Sequence, residues 1–163
     1  MKYQEFDYPH ASQLNALLYD MSKRDIELYK PATLSEALIN PYVHTMKTHL
    51  NGGVLTALQI HTREIAVVDK FFEWIERLLD IKTLRSWVVM YNKGECGTLH
   101  NHLEYDKSFC YYVNLPEGSP PLILQDDIIE PVEGRVIAFS GQLAHEVPVS
   151  TVDGRCSLVG HGS

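Results

Sequence analysis

The spacing of apolar positions changes near residue 83. Before it they recur at threes and fours, and after it they alternate or gather in short runs. Over residues 11–30, Leu14, Leu17, Leu18, Met21 and Ile26 mark one helical face, with Ser12 as N-cap and Pro31 as stop. A second helix is expected from Thr33, carried by Leu34, Ala37, Leu38 and Ile39 and interrupted at Pro41; Asn51-Gly52-Gly53 reads as a turn or helix end. The strongest pattern covers residues 62–79. There Ile65, Val68, Phe71, Phe72, Ile75, Leu78 and Leu79 form a wide apolar stripe, Thr62 can cap it, and Glu64 puts a negative charge in the first turn. Phe71, Phe72 and Trp74 read as core or near-core, and the stripe should pack on a sheet.

Beyond Lys82, residues 86–91, 107–113, 122–125, 135–139, 146–149 and 155–159 read as strands rich in β-branched and aromatic side chains. Residues 116–121, Glu133-Gly134 and Asp153-Gly154 punctuate them as turns. Residues 1–10 read as a lead-in or edge strand. Many short strands at near-regular spacing predict a sandwich or barrel. The class is therefore α+β, with residues 1–83 as mainly helical support and 84–163 as the β core. No linker divides the two, so 1–163 reads as one domain.

Bulk properties narrow the functions. The formal charge of −7 argues against a nucleic-acid backbone or an anionic membrane as partner. No run of 18 apolar residues is present, and the first residues lack the apolar core of a signal peptide. Cys96, Cys110 and Cys156 are odd in number and form no CxxC pair, so a reducing cytosol is expected rather than a disulfide framework.

The chemistry is concentrated between Tyr91 and Ser157. His100 and His102 are two apart, so on an extended strand both imidazoles leave one face. His145 follows a strand end and turn, and can bring a third imidazole from elsewhere. A single such histidine is more often a surface or core residue than a ligand; the combination points to a metal. Glu104 and Asp106 share the parity of His102, so alternation alone leaves a carboxylate ligand open. Arg155 lies ten residues after His145, with Ser157 on the same strand face. Its guanidinium can fork onto a carboxylate, and the serine can add a hydroxyl. Alone, Arg155 would read as a surface partner of an acid. His44, His49 and His61 read as surface residues, Cys96 as a small filler, Asp126-Asp127 as a solvated turn, and residues 116–121 as a loop overhanging the barrel mouth.

Tyr91-x-x-Gly94, His100-x-His102, Gly134-x-x-x-x-Phe139, His145 and Gly154-Arg155-Cys156-Ser157 occur in that order over about 70 residues. Together with Tyr111-Tyr112-Val113-Asn114, they resemble the double-stranded β-helix (jelly-roll) core of the Fe(II)/2-oxoglutarate-dependent oxygenases. The likeness is to the prolyl-4-hydroxylase-like and phage branches. It implies that His100 and His145 bind Fe(II), that Arg155 and Ser157 hold the distal carboxylate of 2-oxoglutarate, and that Tyr91 donates its hydroxyl to the same cosubstrate. It also implies a dioxygenase that consumes O2, couples decarboxylation of 2-oxoglutarate to hydroxylation, and works in the cytoplasm (the host's, if viral). The substrate would be a prolyl or other side chain of a protein or peptide, or a small molecule. The family's usual second ligand is Asp or Glu. Here the aligned position is His102, with Asp106 the alternative. The same HxH occurs in cupins. A cupin-like three-histidine dioxygenase without 2-oxoglutarate therefore stays open, as does a non-catalytic metal- or sugar-binding module.

Overall fold

The computed structural model of the chain describes residues 2–29, 43–45, 54–56 and 59–163. The helix expected from Thr33, Pro31, Pro41, Asn51-Gly52-Gly53 and His49 lie outside them.

Two helices and eleven strands are described. The helices are α1 (Ala11–Tyr29) and α2 (Ala66–Leu79). The strands are β1 (Tyr3–Asp7), β2 (Val43–Thr45), β3 (Val54–Thr56), β4 (Thr83–Tyr91), β5 (Gly97–His100) and β6 (Lys107–Asn114). They continue with β7 (Leu122–Leu124), β8 (Asp127–Ile129), β9 (Arg135–Ser140), β10 (His145–Val147) and β11 (Arg155–Gly162). One sheet runs β1-β9-β6-β11-β4-β3-β2 and a smaller one β5-β10-β7-β8. Every pairing between them is antiparallel. The fold is thus mixed helix and sheet, and three strands from the segment expected to be mainly helical complete the larger sheet. Among the described residues no helix is long and apolar enough to cross a membrane.

The helices cover one face of the seven-stranded sheet. Leu14 and Leu18 of α1, and Val68, Phe71, Phe72, Ile75 and Leu79 of α2, are buried against it at the three-and-four spacing of the sequence. Phe71 is wholly buried, with its ring 5.2 Å from Tyr8 and 4.7 Å from Tyr111. The sheet contributes alternate residues to this layer: Val88 and Met90 of β4, Phe109, Tyr111 and Val113 of β6, Cys156 and Leu158 of β11. The intervening residues face the other way. Cys110, Tyr112, Ile137 and Phe139 pack there on Leu122, Leu124 and Ile129 of the small sheet. Gly160 leaves room for the ring of Phe109, its cross-strand partner on β6, which a Cβ there would overlap.

Several element boundaries differ from expectation. Helix α1 opens from the turn at His10, whose carbonyl accepts from the Leu14 amide, so Ser12 sits inside the helix rather than capping it. Helix α2 begins at Ala66, not Thr62, because Glu64 takes a left-handed φ of 59° that interrupts helical progression. Thr62 instead closes a 3₁₀ turn, donating its hydroxyl to the Gln59 carbonyl at 2.8 Å, and Asp69 is the acid of the first α2 turn. Gln125 at φ 54° ends β7, and Asp127, expected in a turn, opens β8. His61 is half-buried rather than at the surface, with its Nδ1 2.6 Å from Ser86 Oγ.

Truncating the ring at the centre of the helix–sheet layer should be costly. Phe71→Ala is expected to lower unfolding free energy by about 3–5 kcal/mol, measured as a fall in urea midpoint at unchanged slope.

Candidate metal and carboxylate site

Strand alternation sends Trp87, Val89 and Tyr91 of β4, and Arg155, Ser157, Val159 and His161 of β11, into one cavity between the sheets. His100, His102 and His145 line its other side. Their candidate ligand nitrogens all lie within 4.8 Å of one another. His100 and His145 are direct cross-strand partners in the β5–β10 ladder, so the register itself brings their rings to 4.4 Å between centroids.

Local backbone fixes which nitrogen each of these two presents. His100 Nδ1 lies 2.6 Å from the Thr98 carbonyl, and His145 Nδ1 lies 3.0 Å from the Leu143 carbonyl. A carbonyl only accepts, so both Nδ1 atoms carry the proton and both Nε2 atoms keep their lone pair. This is the arrangement metal-binding histidines show, with the non-ligating nitrogen donating to a fixed oxygen.

His102 arrives differently. Strand β5 ends at His100, so same-face alternation is not what delivers His102. Its backbone is held by the turn after β9: the His102 amide donates to the Gly141 carbonyl at 2.8 Å, and the Gly141 amide to the Asp106 carbonyl at 3.2 Å. Gly141 must be glycine, since a Cβ would overlap the Tyr105 carbonyl and reach within 2.6 Å of the His102 carbonyl. His102 is buried, at 7% exposure. Glu104 and Asp106, which parity left open as ligands, are exposed and stand outside the cluster.

The opposite end of the cavity holds a cation. Arg155 is 1% exposed. Its Nε donates to the Pro120 carbonyl at 2.9 Å, and Nη1 makes a long contact of 3.4 Å with Ser157 Oγ. Nη2 is buried without a partner, and among the described residues no acidic side chain pairs with the guanidinium. An uncompensated buried charge costs several kcal/mol, so the arrangement calls for an anion. Tyr91 and Tyr112 flank Arg155, with their ring centroids 5.5 and 5.6 Å from its guanidinium carbon. Burial raises both hydroxyls above the usual tyrosine range, partly opposed by Arg155, so both remain donors. The Tyr112 hydroxyl is also buried, with the Cys110 thiol as its side-chain neighbour and no oxygen or nitrogen partner. The loop over residues 116–121 contributes through Pro120, whose carbonyl caps the guanidinium.

Two residues at the site carry no sequence signal beyond strand position: Tyr112, which packs beside Arg155, and His161, which lines the cavity. His161 has the strand parity of Arg155 and Ser157, which marks it as facing the cavity. It is 1% exposed, and its Nδ1 is 2.8 Å from Ser108 Oγ. Burial first, then the neighbouring histidines and Arg85, push its pKa down to about 2, so the ring is neutral.

No family model and no curated protein matches the sequence. Solved structures match the fold. The Pseudomonas putida prolyl-4-hydroxylase superposes with a TM-score of 0.69 at 19% identity, over 99% of this chain and 91% of that one. The viral collagen prolyl hydroxylase of Paramecium Bursaria Chlorella virus-1, solved as a 2OG complex, gives 0.69 at 14% identity, over 99% and 95%. The Trichoplax adhaerens prolyl hydroxylase, solved with a peptide fragment of the hypoxia inducible factor oxygen degradation domain, gives 0.66 at 12% identity, over 99% and 83%. The chain therefore has the fold of these hydroxylases.

The Gly141 contact makes a direct prediction. Gly141→Ala should displace the backbone around His102 and lower stability by about 1–3 kcal/mol. Thermal melts would register the loss, and His102 should show the largest ring NMR shifts of the three clustered histidines.

Proposed function

We propose that the chain is an Fe(II)- and 2-oxoglutarate-dependent oxygenase, with its two antiparallel sheets forming a double-stranded β-helix and residues 1–163 acting as one catalytic domain. The observation that carries this is the pairing of two unmet demands in one cavity. Three histidine nitrogens within 4.8 Å of one another offer a cation site, and a buried Arg155 with an unsatisfied Nη2 and no acidic partner among the described residues offers an anion site. A metal-chelating dianion satisfies both. A cupin-like metal site alone leaves Arg155 unexplained.

In this reading His100, His102 and His145 hold Fe(II). Arg155 forks onto the distal carboxylate of 2-oxoglutarate, Ser157 adds its hydroxyl, and the Tyr112 and Tyr91 hydroxyls donate from either side. When bound, Fe(II), 2-oxoglutarate and O2 supply the oxidising chemistry, releasing succinate and CO2 and hydroxylating a substrate C–H bond. The protein's part is binding, orientation and exclusion of water. Val89, Leu122, Val147 and Val159 line the cavity with apolar surface, which lowers the local dielectric and strengthens the Arg155 anchor. Three neutral imidazoles leave the metal's double charge intact, where a carboxylate ligand would halve it, and the dianionic cosubstrate offsets the difference. A side chain of a protein or peptide is the proposed substrate class, in line with the peptide held by the Trichoplax structure. The three unpaired cysteines fit a reducing compartment.

Arg155→Ala should weaken 2-oxoglutarate binding by about 3–5 kcal/mol in anaerobic titration of the metal-loaded protein. Arg155→Lys should recover only part, because an ammonium cannot fork. Equal affinity in wild type and Arg155→Ala would refute the anchor, and metal binding without succinate formation across a substrate panel would favour a binding module.

The identity of the second ligand is tested separately. His102→Asp should keep Fe(II) binding and 2-oxoglutarate decarboxylation, whereas His102→Ala should lose metal affinity and Asp106→Ala should not. The reverse order in Fe(II) titrations would transfer the role to Asp106.

A further inference from the structure

His102 differs from its two companions in what holds its ring. His100 and His145 are locked by ladder register and by a carbonyl on each Nδ1. His102 lies past the end of its strand, and the Gly141 bond fixes its main chain. Its imidazole lies against another, that of His161, with ring centroids 3.8 Å apart and planes inclined by 38°.

His161 is built as a rigid surface. Tyr105 stacks on it at 5.4 Å with planes only 14° apart, and Trp87 packs at 5.0 Å. The Arg85 guanidinium lies over the Trp87 ring in turn, at 5.2 Å. Ser108, from the neighbouring strand, holds Nδ1 and stops the ring from rotating. Nε2 is buried without a partner, so what His161 offers His102 is its face rather than a hydrogen bond.

Resting on the metal reading above, we propose that His161 is the positioning residue for His102: a packed aromatic face that holds the third imidazole in the cluster where no strand ladder does. A ligand at the end of a strand has a rotamer to lose on binding metal. A wall that has already fixed that rotamer raises metal affinity without touching the metal.

The test uses anaerobic Co(II) titration of the full chain, followed by affinity and by the Co(II) d–d absorption bands. His161→Leu keeps apolar bulk but removes the ring face, and should lower Co(II) affinity by about 10–100-fold, the usual effect of disturbing a ligand's support. His161→Phe keeps an aromatic face but loses the Ser108 bond, and should retain most of the Co(II) affinity with shifted d–d bands. Leu and Phe variants that both match wild type, or are equally weakened, overturn the proposal. Should His161→Leu fail to fold by circular dichroism, Ser108→Ala is the second probe. It frees the ring to turn and should shift the d–d bands, and unchanged bands and affinity there overturn the proposal too. His100→Ala separates this inference from its premise: wild-type Co(II) affinity in that variant refutes the metal site itself, whereas its loss alongside an unaffected His161→Leu refutes only the role of His161.

Discussion

The register of β11 between β4 and β6 is the constraint on which the rest depends. Arg155 pairs with Tyr91 and Ser157 with Val89 on one side, and Ser157 pairs with Tyr112 on the other. Because side chains alternate, one choice of register sorts β11 into two functions. Cys156 and Leu158 go to the helical layer, and Arg155, Ser157, Val159 and His161 go to the cavity. A slip of one residue would bury Leu158 among the polar groups and drive a guanidinium into Phe71 and Tyr111. The helices therefore do more than stabilise. By demanding apolar residues from one face of the sheet, they enforce which residues appear on the other.

The two halves of the site obey different logic. At the histidine end the rings of His100 and His145 are set locally, by the carbonyls of Thr98 and Leu143 two residues before each. The arginine end is left open, with Arg155 Nη2 buried and without a partner. Protein interiors rarely tolerate such a group, and its place in the cavity that also holds the histidine cluster is what supports the proposed reading of a ligand site.

Much of this was legible in the sequence because it follows from period. The apolar stripe of α2, the strands that became β4, β6, β9 and β11, and the shared face of Arg155 and Ser157 are all consequences of spacing. His161 was equally legible by parity, four residues beyond Ser157, but no motif drew attention to it. Other features are not carried by local pattern. Strands β2, β3 and β8 are three residues each, with too little alternation of their own to mark them as strands apart from the helical spacing around β2 and β3 and the Asp126-Asp127 turn signal at β8. The late start of α2 depends on one left-handed residue, Glu64, of a type that usually favours helix. His102 is brought to the cluster by a turn at Gly141, 39 positions away, and not by the same-face alternation that singles it out in the sequence.

The Pro120 carbonyl on Arg155 Nε has a consequence for the timing of molecular recognition. Arginine in solution samples many rotamers, and freezing them costs about 2 kcal/mol. Here that ordering is completed when the polypeptide folds, since the loop grips the guanidinium before any anion arrives. On the proposed reading, an incoming anion would meet a fork already aimed, with little induced fit to wait for, and selectivity at that end would be set by shape, favouring anions whose length spans a fixed gap over those that would need the arginine to reach.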